Sequence, residues 1–248
     1  MKLNSSFTKI TSALALALVA TTSNAANWSS TNFVAHTGDS YELGPEERTV
    51  YTFEHVSGWD YGKNFFFIDV TDPNGDGANE TQWYGEYSPS LSLSKVLGKD
   101  LSFGFVKDVS LAGTLEMGQF TDAKLVGFTF DLDIPTVPVA SVSLYQRFSK
   151  KNGNSDSAPQ VTLVWMKPFS VGPTNWVFEG FLDYAWAEKD VGKVANMMTA
   201  PRLWLDTGAL LGSPKKLYAG VEYQMWNNKF GVDGVDERVP QLSIKYTF

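Results

Sequence analysis

The chain has 248 residues, no cysteine and a formal net charge of −7, from 20 basic and 27 acidic residues. This acidic balance argues against binding to a nucleic-acid polymer, and without cysteine no disulfide can support the fold. The fold must therefore be held by an apolar core or by a membrane.

The first 25 residues have the pattern of a secretory signal peptide. Lys2 and Lys9 give it a positive start, Ile10–Ala20 is an apolar run, and small residues follow up to Ala25. A buried core helix is the alternative, but these flanking residues argue against it. We expect cleavage after Ala25, which leaves residues 26–248 as one domain with 18 basic and 27 acidic residues, a net charge of −9.

The remaining chain is divided into short segments in which apolar and polar residues alternate, and this pattern predicts strands. No later stretch approaches the ~20 continuous apolar residues that a membrane helix needs. An even number of strands places both termini on one side, the periplasmic side in bacterial barrels. Twelve strands are predicted, at Thr31–Thr37, Thr49–Val56, Asn64–Thr71, Trp83–Leu93, Leu101–Leu115, Lys124–Asp133, Ala140–Phe148, Gln160–Pro168, Trp176–Trp186, Met197–Asp206, Leu217–Trp226 and Pro240–Phe248.

The predicted connections differ between the two ends of the strands. Short links, such as Ile134–Pro138 and Ser170–Asn175, follow even-numbered strands, although Ser94–Asp100 and Thr207–Lys216 are longer. Long segments on one side and short ones on the other are typical of a transmembrane β-barrel. The longer, polar segments follow odd-numbered strands and are Gly38–Arg48, Asp72–Thr81, Ser149–Pro159, Ala187–Asn196 and Asn227–Arg238.

The last segment, Pro240–Phe248, shows the alternation most clearly, with Leu242, Ile244 and Tyr246 on one face and polar residues on the other. An aromatic residue at Phe248 suits the lipid–water boundary, and we expect the barrel-assembly machinery to engage this strand. A soluble β-sandwich would show the same alternation, but it accounts for neither the signal peptide nor the twelve strands. We therefore predict an all-β fold, a closed antiparallel transmembrane barrel in the bacterial outer membrane, in contact with lipid and lipopolysaccharide.

Strand alternation also predicts which residues line the lumen. A basic residue on the lipid face costs roughly 2–4 kcal/mol at mid-depth, so charged faces must point inward. Carboxylates accept hydrogen bonds from sugar hydroxyls and aromatic faces stack on a base, so this lining suits a flat-ringed solute that carries a sugar. The simpler alternative is that these groups only pair with each other or solvate a pore. The predicted solute-binding lining is Glu54, Phe65, Phe67, Asp69, Glu86, Asp131, Asp133, Tyr145, Arg147, Glu179, Phe181, Asp183 and Glu222.

The sequence predicts neither an enzyme nor a metal or cofactor site. His36 and His55 have no evident serine or acid partner along the chain, and a hydrolase needs a base beside its nucleophile. The segment Asp72–Gly77 matches the start of a calcium loop, Asp-x-Asn-x-Asp-Gly, but the closing glutamate would fall on Trp83. Asn, Asp, Gly and Pro are ordinary loop residues, so no metal is predicted here.

Several short motifs resemble the nucleoside-specific channel-forming outer-membrane proteins (Tsx) and the related OmpK-type porins. The stretch Asp100–Gly104 matches a family signature, and Gly44 and Pro45 lie in the first outer loop as they do in the family. The resemblance covers most of residues 26–248. The OmpK-type branch is indicated by Gln160, Val161, Trp165, Pro168 and Phe169.

This resemblance implies a narrow twelve-stranded channel for nucleosides and deoxynucleosides, with outer loops that phages and colicins use as receptors. The chain departs from the family at Ser88 and Ser90, where relatives carry Glu and Arg, and at Thr162 and Val164, where they carry inward lysines; Glu86 is retained. We expect a channel for facilitated diffusion of nucleosides or similar small polar solutes. The alternative is a surface barrel that serves mainly as a phage or colicin receptor, or in structure or adhesion, with little transport.

Overall fold

The computed structural model describes residues 26–73, 81–119 and 121–248. The predicted signal peptide and positions 74–77 of the calcium-like segment lie outside these residues. The described chain is built almost entirely of strands: β1 Trp28–Gly38, β2 Arg48–Trp59, β3 Gly62–Pro73, β4 Gln82–Ser92, β5 Val106–Gly118, β6 Asp122–Leu132, β7 Val139–Lys151, β8 Asn154–Val171, β9 Thr174–Ala185, β10 Asn196–Thr199, β11 Arg202–Leu205, β12 Leu217–Asn227 and β13 Glu237–Thr247.

These strands form one closed antiparallel sheet. Apart from β10 and β11, each strand pairs with its neighbours in the chain. The sheet closes where β1 pairs with β13, from Asn32↔Thr247 to Gly38↔Gln241. Both β10 and β11 pair with β9 and β12 in one unchanged register. They are two halves of one strand, interrupted where Pro201 lacks the N–H that the ladder requires. The structure is therefore a twelve-stranded barrel with both termini at one end, which confirms the predicted fold.

The connections at the end that holds the termini, the terminal end, include two short helices. The helix α1 (Leu93–Leu97) begins with Ser92 Oγ accepting from the Lys95 N–H at 3.2 Å and ends at Gly98 in the left-handed region. The helix α2 (Thr207–Leu210) is capped by the Asp206 carboxylate, which accepts from the Ala209 N–H at 2.9 Å. These helices account for the two long links predicted on this side.

Two predicted boundaries are wrong. The strand expected from Leu101 begins only at Val106, because Phe103 and Val106 exchange backbone hydrogen bonds of 2.9 and 2.8 Å around Gly104, whose φ is +54°. The predicted loop Ser149–Pro159 is instead a continuous hairpin of β7 and β8. Its tip is Asn152–Gly153, both at positive φ, as a two-residue Asn-Gly turn requires.

The barrel presents its apolar residues outward. Leu242 and Ile244 are 68% and 58% exposed, whereas Gln241 and Ser243, which alternate with them along the strand, are almost fully buried. This distribution is the reverse of that in a soluble protein and matches a surface surrounded by lipid. Separately, no helix in the described parts of the chain has the length and apolar character required to span a membrane.

Candidate functional site

The lumen is lined by charged and aromatic side chains, and twelve of the thirteen predicted lining residues lie on the inward face. The exception is Asp133, which follows the end of β6 in an exposed turn, where its N–H donates to the Phe105 carbonyl at 2.7 Å. Cross-strand register places on the inward face Glu54, Phe65, Phe67, Asp69, Glu86, Asp131, Tyr145, Arg147, Glu179, Phe181, Asp183 and Glu222.

Strands β2 to β5 form one side of the lumen, which we name the acidic–aromatic wall. Cross-strand pairing aligns four inward residues in one row, Glu54, Phe67, Glu86 and Glu116. Directly opposed residues have Cβ atoms about 4.5–5.5 Å apart, so the Phe67 ring lies between Glu54 and Glu86, and Glu116 lies beside Glu86. The wall comprises Glu54, Phe65, Phe67, Asp69, Tyr84, Glu86 and Glu116.

Three rings of this wall form a ladder. The ring centroids of Phe65 and Phe67 are 5.9 Å apart, and those of Phe67 and Tyr84 are 5.8 Å apart. The Tyr84 hydroxyl donates to the Glu86 carboxylate at 2.5 Å. Apolar faces and hydrogen-bond acceptors therefore alternate over a distance that a nucleoside-sized molecule could span.

Two carboxylates of the wall are held only by neutral donors. Glu86 accepts from Tyr84, and Asp69 accepts from the Thr52 hydroxyl at 2.6 Å. Within the described residues, neither carboxylate makes an ion pair. Their remaining lone pairs can accept further hydrogen bonds from a solute.

The Arg147 cluster lies on β5, β7, β8 and β9. Arg147 donates in a bidentate manner to both oxygens of Glu116, at 2.5 and 2.6 Å, and also to Gln160 at 3.0 Å. Gln160 in turn donates to Asp183 at 3.3 Å, and Thr162 donates to Asp183 at 2.5 Å. This chain of bonds joins four strands and fixes the guanidinium beside the acidic–aromatic wall.

The Arg202 cluster lies on β2, β11, β12 and β13. Arg202 forms a close ion pair with Glu222 and a second one, at 3.7 Å, with Glu54 on β2. The pair with Glu54 connects strands that are not neighbours in the sheet, so it spans the lumen. Gln241 donates to Glu222 at 2.7 Å, and Asn32 donates to Glu54 at 2.8 Å.

Lys245 extends this cluster toward β9. Its ammonium contacts Glu179 at 2.8 Å and lies 4.6 Å from the centroid of the Trp204 ring. The Trp204 indole N–H donates to the same carboxylate at 2.7 Å. A further ion pair across the lumen joins Lys63 on β3 and Asp131 on β6 at 2.5 Å. These two lysines therefore neutralise Glu179 and Asp131, which lie outside the acidic–aromatic wall.

The mouth cluster closes part of the end opposite the termini, the loop end. Tyr41 folds inward from the first loop, and its hydroxyl donates to Gln241 at 2.6 Å. Lys229 pairs closely with the fully buried Glu237, and Arg48 donates to the Leu43 carbonyl at 3.0 Å. Burial raises the pKa of the Tyr41 phenol well above its ordinary value, so the hydroxyl remains a donor.

The lumen is not filled throughout. Phe65 and Val164 point inward, yet they are 36% and 37% exposed. Inward side chains with this exposure border open space within the barrel. The ladder therefore starts at a solvent-accessible part of the lumen, since Phe65 lies near the terminal-end start of β3.

Ser88 and Thr162 keep the lumen polar but uncharged at their positions. The Ser88 hydroxyl forms a hydrogen bond of 3.0 Å with the Thr114 hydroxyl, and the Thr162 hydroxyl donates to the Asp183 carboxylate. A lysine at position 162 would give Asp183 an ion pair. In this chain, Asp183 instead keeps only uncharged partners among the described residues.

The histidines do have hydroxyl partners in space, which the sequence did not reveal. His36 Nδ1 lies 2.7 Å from Ser243 Oγ, and His55 Nδ1 lies 2.8 Å from Thr31 Oγ1. However, His36 Nε2 has no hydrogen-bond partner in the described chain, so no acid orients this imidazole as catalysis would require. No group of three or more His, Cys, Asp or Glu residues that could hold a metal ion occurs among the described residues.

Sequence reasoning missed several lumen residues. Strand alternation alone predicts that Tyr84 faces the lumen, since it lies two residues before Glu86 on the same face. Glu116 was missed because the predicted fifth strand ended at Leu115, whereas β5 continues to Gly118. Trp204 could likewise be predicted from alternation, since it lies two residues after Arg202 on the same face, whereas the pairing of Lys63 with Asp131 could be found only from the closure of the barrel.

Comparison with known proteins gives a consistent result. Residues 23–248 match the family described as "Nucleoside-specific channel-forming protein, Tsx". Two curated relatives named "Outer membrane protein OmpK", from Vibrio parahaemolyticus and its serotype O3:K6 strain RIMD 2210633, are each 27% identical, over 136 and 141 residues. The matches cover 52% of this chain and 51% and 52% of the relatives, so the chain spans about half the length of the curated relatives it matches.

One solved structure, described as "Bacterial polysaccharide outer membrane secretin", is 10% identical with a TM-score of 0.38 and covers 90% of this chain and 99% of its own.

Proposed function

The chain belongs to the Tsx family of nucleoside-specific channel-forming proteins, and from this premise we propose that its lumen conducts nucleosides by facilitated diffusion. The protein is an outer-membrane β-barrel of the OmpK-type branch. The proposal concerns which solute passes and which side chains it contacts.

The observation that carries the proposal is the cross-strand row Glu54–Phe67–Glu86–Glu116. A nucleoside presents a flat base and a sugar with hydroxyl donors. The base stacks on the ladder of Phe65, Phe67 and Tyr84, and the sugar hydroxyls donate to Glu86 and Asp69, which have no cationic partner in the described chain. Stacking is worth about 1–3 kcal/mol per base, enough to favour nucleosides over sugars of equal size.

The opposite side of the lumen supports weak rather than tight binding. Arg147, Arg202 and Lys245 already have carboxylate partners, so a neutral solute does not need to displace them. A channel needs binding that is favourable enough for entry and weak enough for release. Neutral acceptors such as Thr162, in place of a family lysine, keep the local field low.

Uptake into liposomes that contain the purified barrel tests this proposal. We expect saturable flux of radiolabelled thymidine and adenosine that exceeds the flux of a sugar of similar size. Phe67→Ala should reduce nucleoside uptake at low concentration about tenfold, because a stacking surface is lost. The matched control Phe128→Ala alters a lipid-facing ring that is 47% exposed and should leave uptake unchanged.

A second comparison tests the acceptor role of Glu86. Glu86→Gln removes the charge but keeps the size, whereas Glu47→Gln makes the same change at an exposed loop position. Only Glu86→Gln should weaken the competition between thymidine and adenosine for uptake through the barrel. Equal flux of all small solutes, or equal effects of both variants, would contradict nucleoside recognition.

The mouth cluster favours a second candidate, a surface barrel with little transport. Tyr41 and Lys229 tie two loops into the opening at the loop end. If a correctly folded barrel passes no solute, its exposed loops become the functional surface. In that case a phage or colicin receptor, or a structural or adhesive role, is the better description.

A further inference from the structure

The outer surface of β6, β7 and β8 carries two adjoining shallow cavities near the loop end. Their volumes are about 430 and 440 Å³, and they share Asp122, Lys150 and Ser155. Together they form one concave region, which we name the lysine groove. The lining residues on which the argument rests are Asp122, Lys124, Phe148, Lys150, Lys151 and Asp156.

The groove contains three lysines without a charged partner. Within the described residues, Lys124, Lys150 and Lys151 make neither an ion pair nor a cation–π contact. Two other lysines near this end differ, since Lys229 pairs with Glu237 and Lys193 lies 3.4 Å from Glu188. The groove therefore concentrates positive charge that the barrel itself does not neutralise.

Lys124 and Lys150 lie where the lipid-facing surface changes from apolar to polar, whereas Lys151 lies beside them at the hairpin tip. Lys124 is opposite Leu115 on β5 and Phe148 on β7, both outward and 42% and 46% exposed. Nearer the middle of the barrel, the same face carries Val126 and other exposed apolar residues. An ammonium at this boundary must reach headgroup level, and a lysine does so by extending its alkyl chain along the apolar surface.

The acidic residues of the groove do not cancel this charge. The Asp156 carboxylate accepts hydrogen bonds from the backbone N–H groups of Ser157 and Asp190, at 2.7 and 2.8 Å. Asp122 faces outward on β6, beside the lysines, but forms no ion pair among the described residues. On the outward face, the ammonium groups of Lys124 and Lys150 stand against the single carboxylate of Asp122, which leaves a positive site, and the serine hydroxyls at positions 155 and 157 supply further donors.

We propose that the lysine groove binds the phosphate groups of lipopolysaccharide, the phosphorylated glycolipid of the outer leaflet. In an outer-membrane barrel the termini face the periplasm, so the loop end and its groove lie at the outer leaflet. Lysine is a common binder of phosphate as a point charge, and basic surface residues recognise anionic headgroups. The acyl chains would lie against Phe148 and the apolar surface below it.

Binding of lipid A to the full barrel, refolded in detergent, tests this site. The titrations compare lipid A that carries both phosphates, the same lipid after enzymatic removal of its phosphates, and inorganic phosphate as competitor. The test variant is Lys124→Gln/Lys150→Gln. The control, Lys95→Gln/Lys99→Gln, removes the same charge from exposed positions in and just after α1, at the terminal end.

We expect the test variant to bind the phosphorylated lipid about twenty- to thirtyfold more weakly, since each lysine near an anionic surface contributes roughly fivefold in affinity. The control should match the wild type, and dephosphorylated lipid should bind weakly to every protein. Heat-modifiable mobility on gels reports folding. If the double variant does not fold, Lys150→Gln alone, at the end of a strand, should still weaken binding about fivefold.

Three results would overturn the assignment. Wild-type affinity in a folded test variant would show that these lysines do not hold the lipid. Equally tight binding of the dephosphorylated lipid would show that phosphate is not recognised. Complete displacement by an equal concentration of inorganic phosphate would identify a simple anion site instead of a lipid site.

Discussion

Replacing Arg147 by methionine tests whether the ion pairs of the lumen stabilise the barrel. The guanidinium makes two bonds to Glu116, one to Gln160 and one of 3.2 Å to Ser149, and Arg147 and Glu116 are both nearly inaccessible to solvent. Methionine removes all of these bonds and leaves the Glu116 carboxylate without a cation, whereas Glu188 keeps Lys193 at 3.4 Å.

Breaking a buried ion pair by removing one partner typically costs 3–5 kcal/mol. Water in the lumen relieves part of this cost, so we expect Arg147→Met to lower the free energy of unfolding by about 3 kcal/mol. Glu116→Gln keeps the hydrogen-bond geometry and leaves Arg147 with Glu188 at 3.6 Å, so its cost should be about 1–2 kcal/mol. The double variant Arg147→Met/Glu116→Met also removes the carboxylate that Arg147→Met leaves unpaired. It should therefore be more stable than Arg147→Met alone.

Reversible urea unfolding in lipid vesicles, followed by tryptophan fluorescence, measures these differences. Arg238→Met is the control, because this exposed arginine at the loop end should contribute under 1 kcal/mol. The reasoning fails if Arg147→Met costs no more than the control, or if the double variant is less stable than both single variants.

Three further predictions concern strand β9 and the mouth cluster. A Cβ at Gly180 would lie 2.6 Å from an indole carbon, so Gly180→Ala should cost about 1–3 kcal/mol in the same unfolding assay, whereas Gly113→Ala, with 3.4 Å available, should cost less. Tyr41→Phe removes the bond that ties the first loop to the lumen and should speed amide exchange over residues 39–47, as measured by mass spectrometry; unchanged exchange would contradict this role. Burial lowers the pKa of Lys229 below its ordinary value of 10.5, and ¹³C NMR should show Glu237→Gln lowering it further. Because the folded pKa lies below the unfolded one, this lysine makes stability rise with pH between the two values.

Much of the barrel could be predicted because lipid imposes a strict alternation on its strands. The face of Leu242 and Ile244 was correct for this reason, as was the inward face of Glu86. Prediction failed where the lipid constraint ends. The start of β8 at Asn154 lies beyond the apolar band of the barrel, so its residues are polar on both faces and show no alternation of apolar and polar side chains. The opposite error occurred at Leu101, where spaced apolar residues imitate a strand although Gly104 turns the chain.

The site was harder to predict because its geometry depends on barrel closure. Alternation places Glu54 and Arg202 on the inward face, but only the strand order brings them to 3.7 Å across the lumen. Extending alternation past Leu132 gave Asp133 as a lumen residue, but β6 ends at Leu132 and Asp133 lies in the exposed turn that follows. Sequence thus identified the composition of the lumen, while its pairing required the structure.

The contact between β1 and β13 has a consequence for how the protein is made. The strand that emerges first finds one of its two partners only when the strand that emerges last is in place. Until then the sheet has two unsatisfied edges, each able to pair with another chain. Assembly should therefore depend on a chaperoned, unfolded precursor and end in one concerted closure. Once closed, the seam must open along its whole length before any strand can leave, so the lifetime of the protein is set by a rate rather than by equilibrium stability.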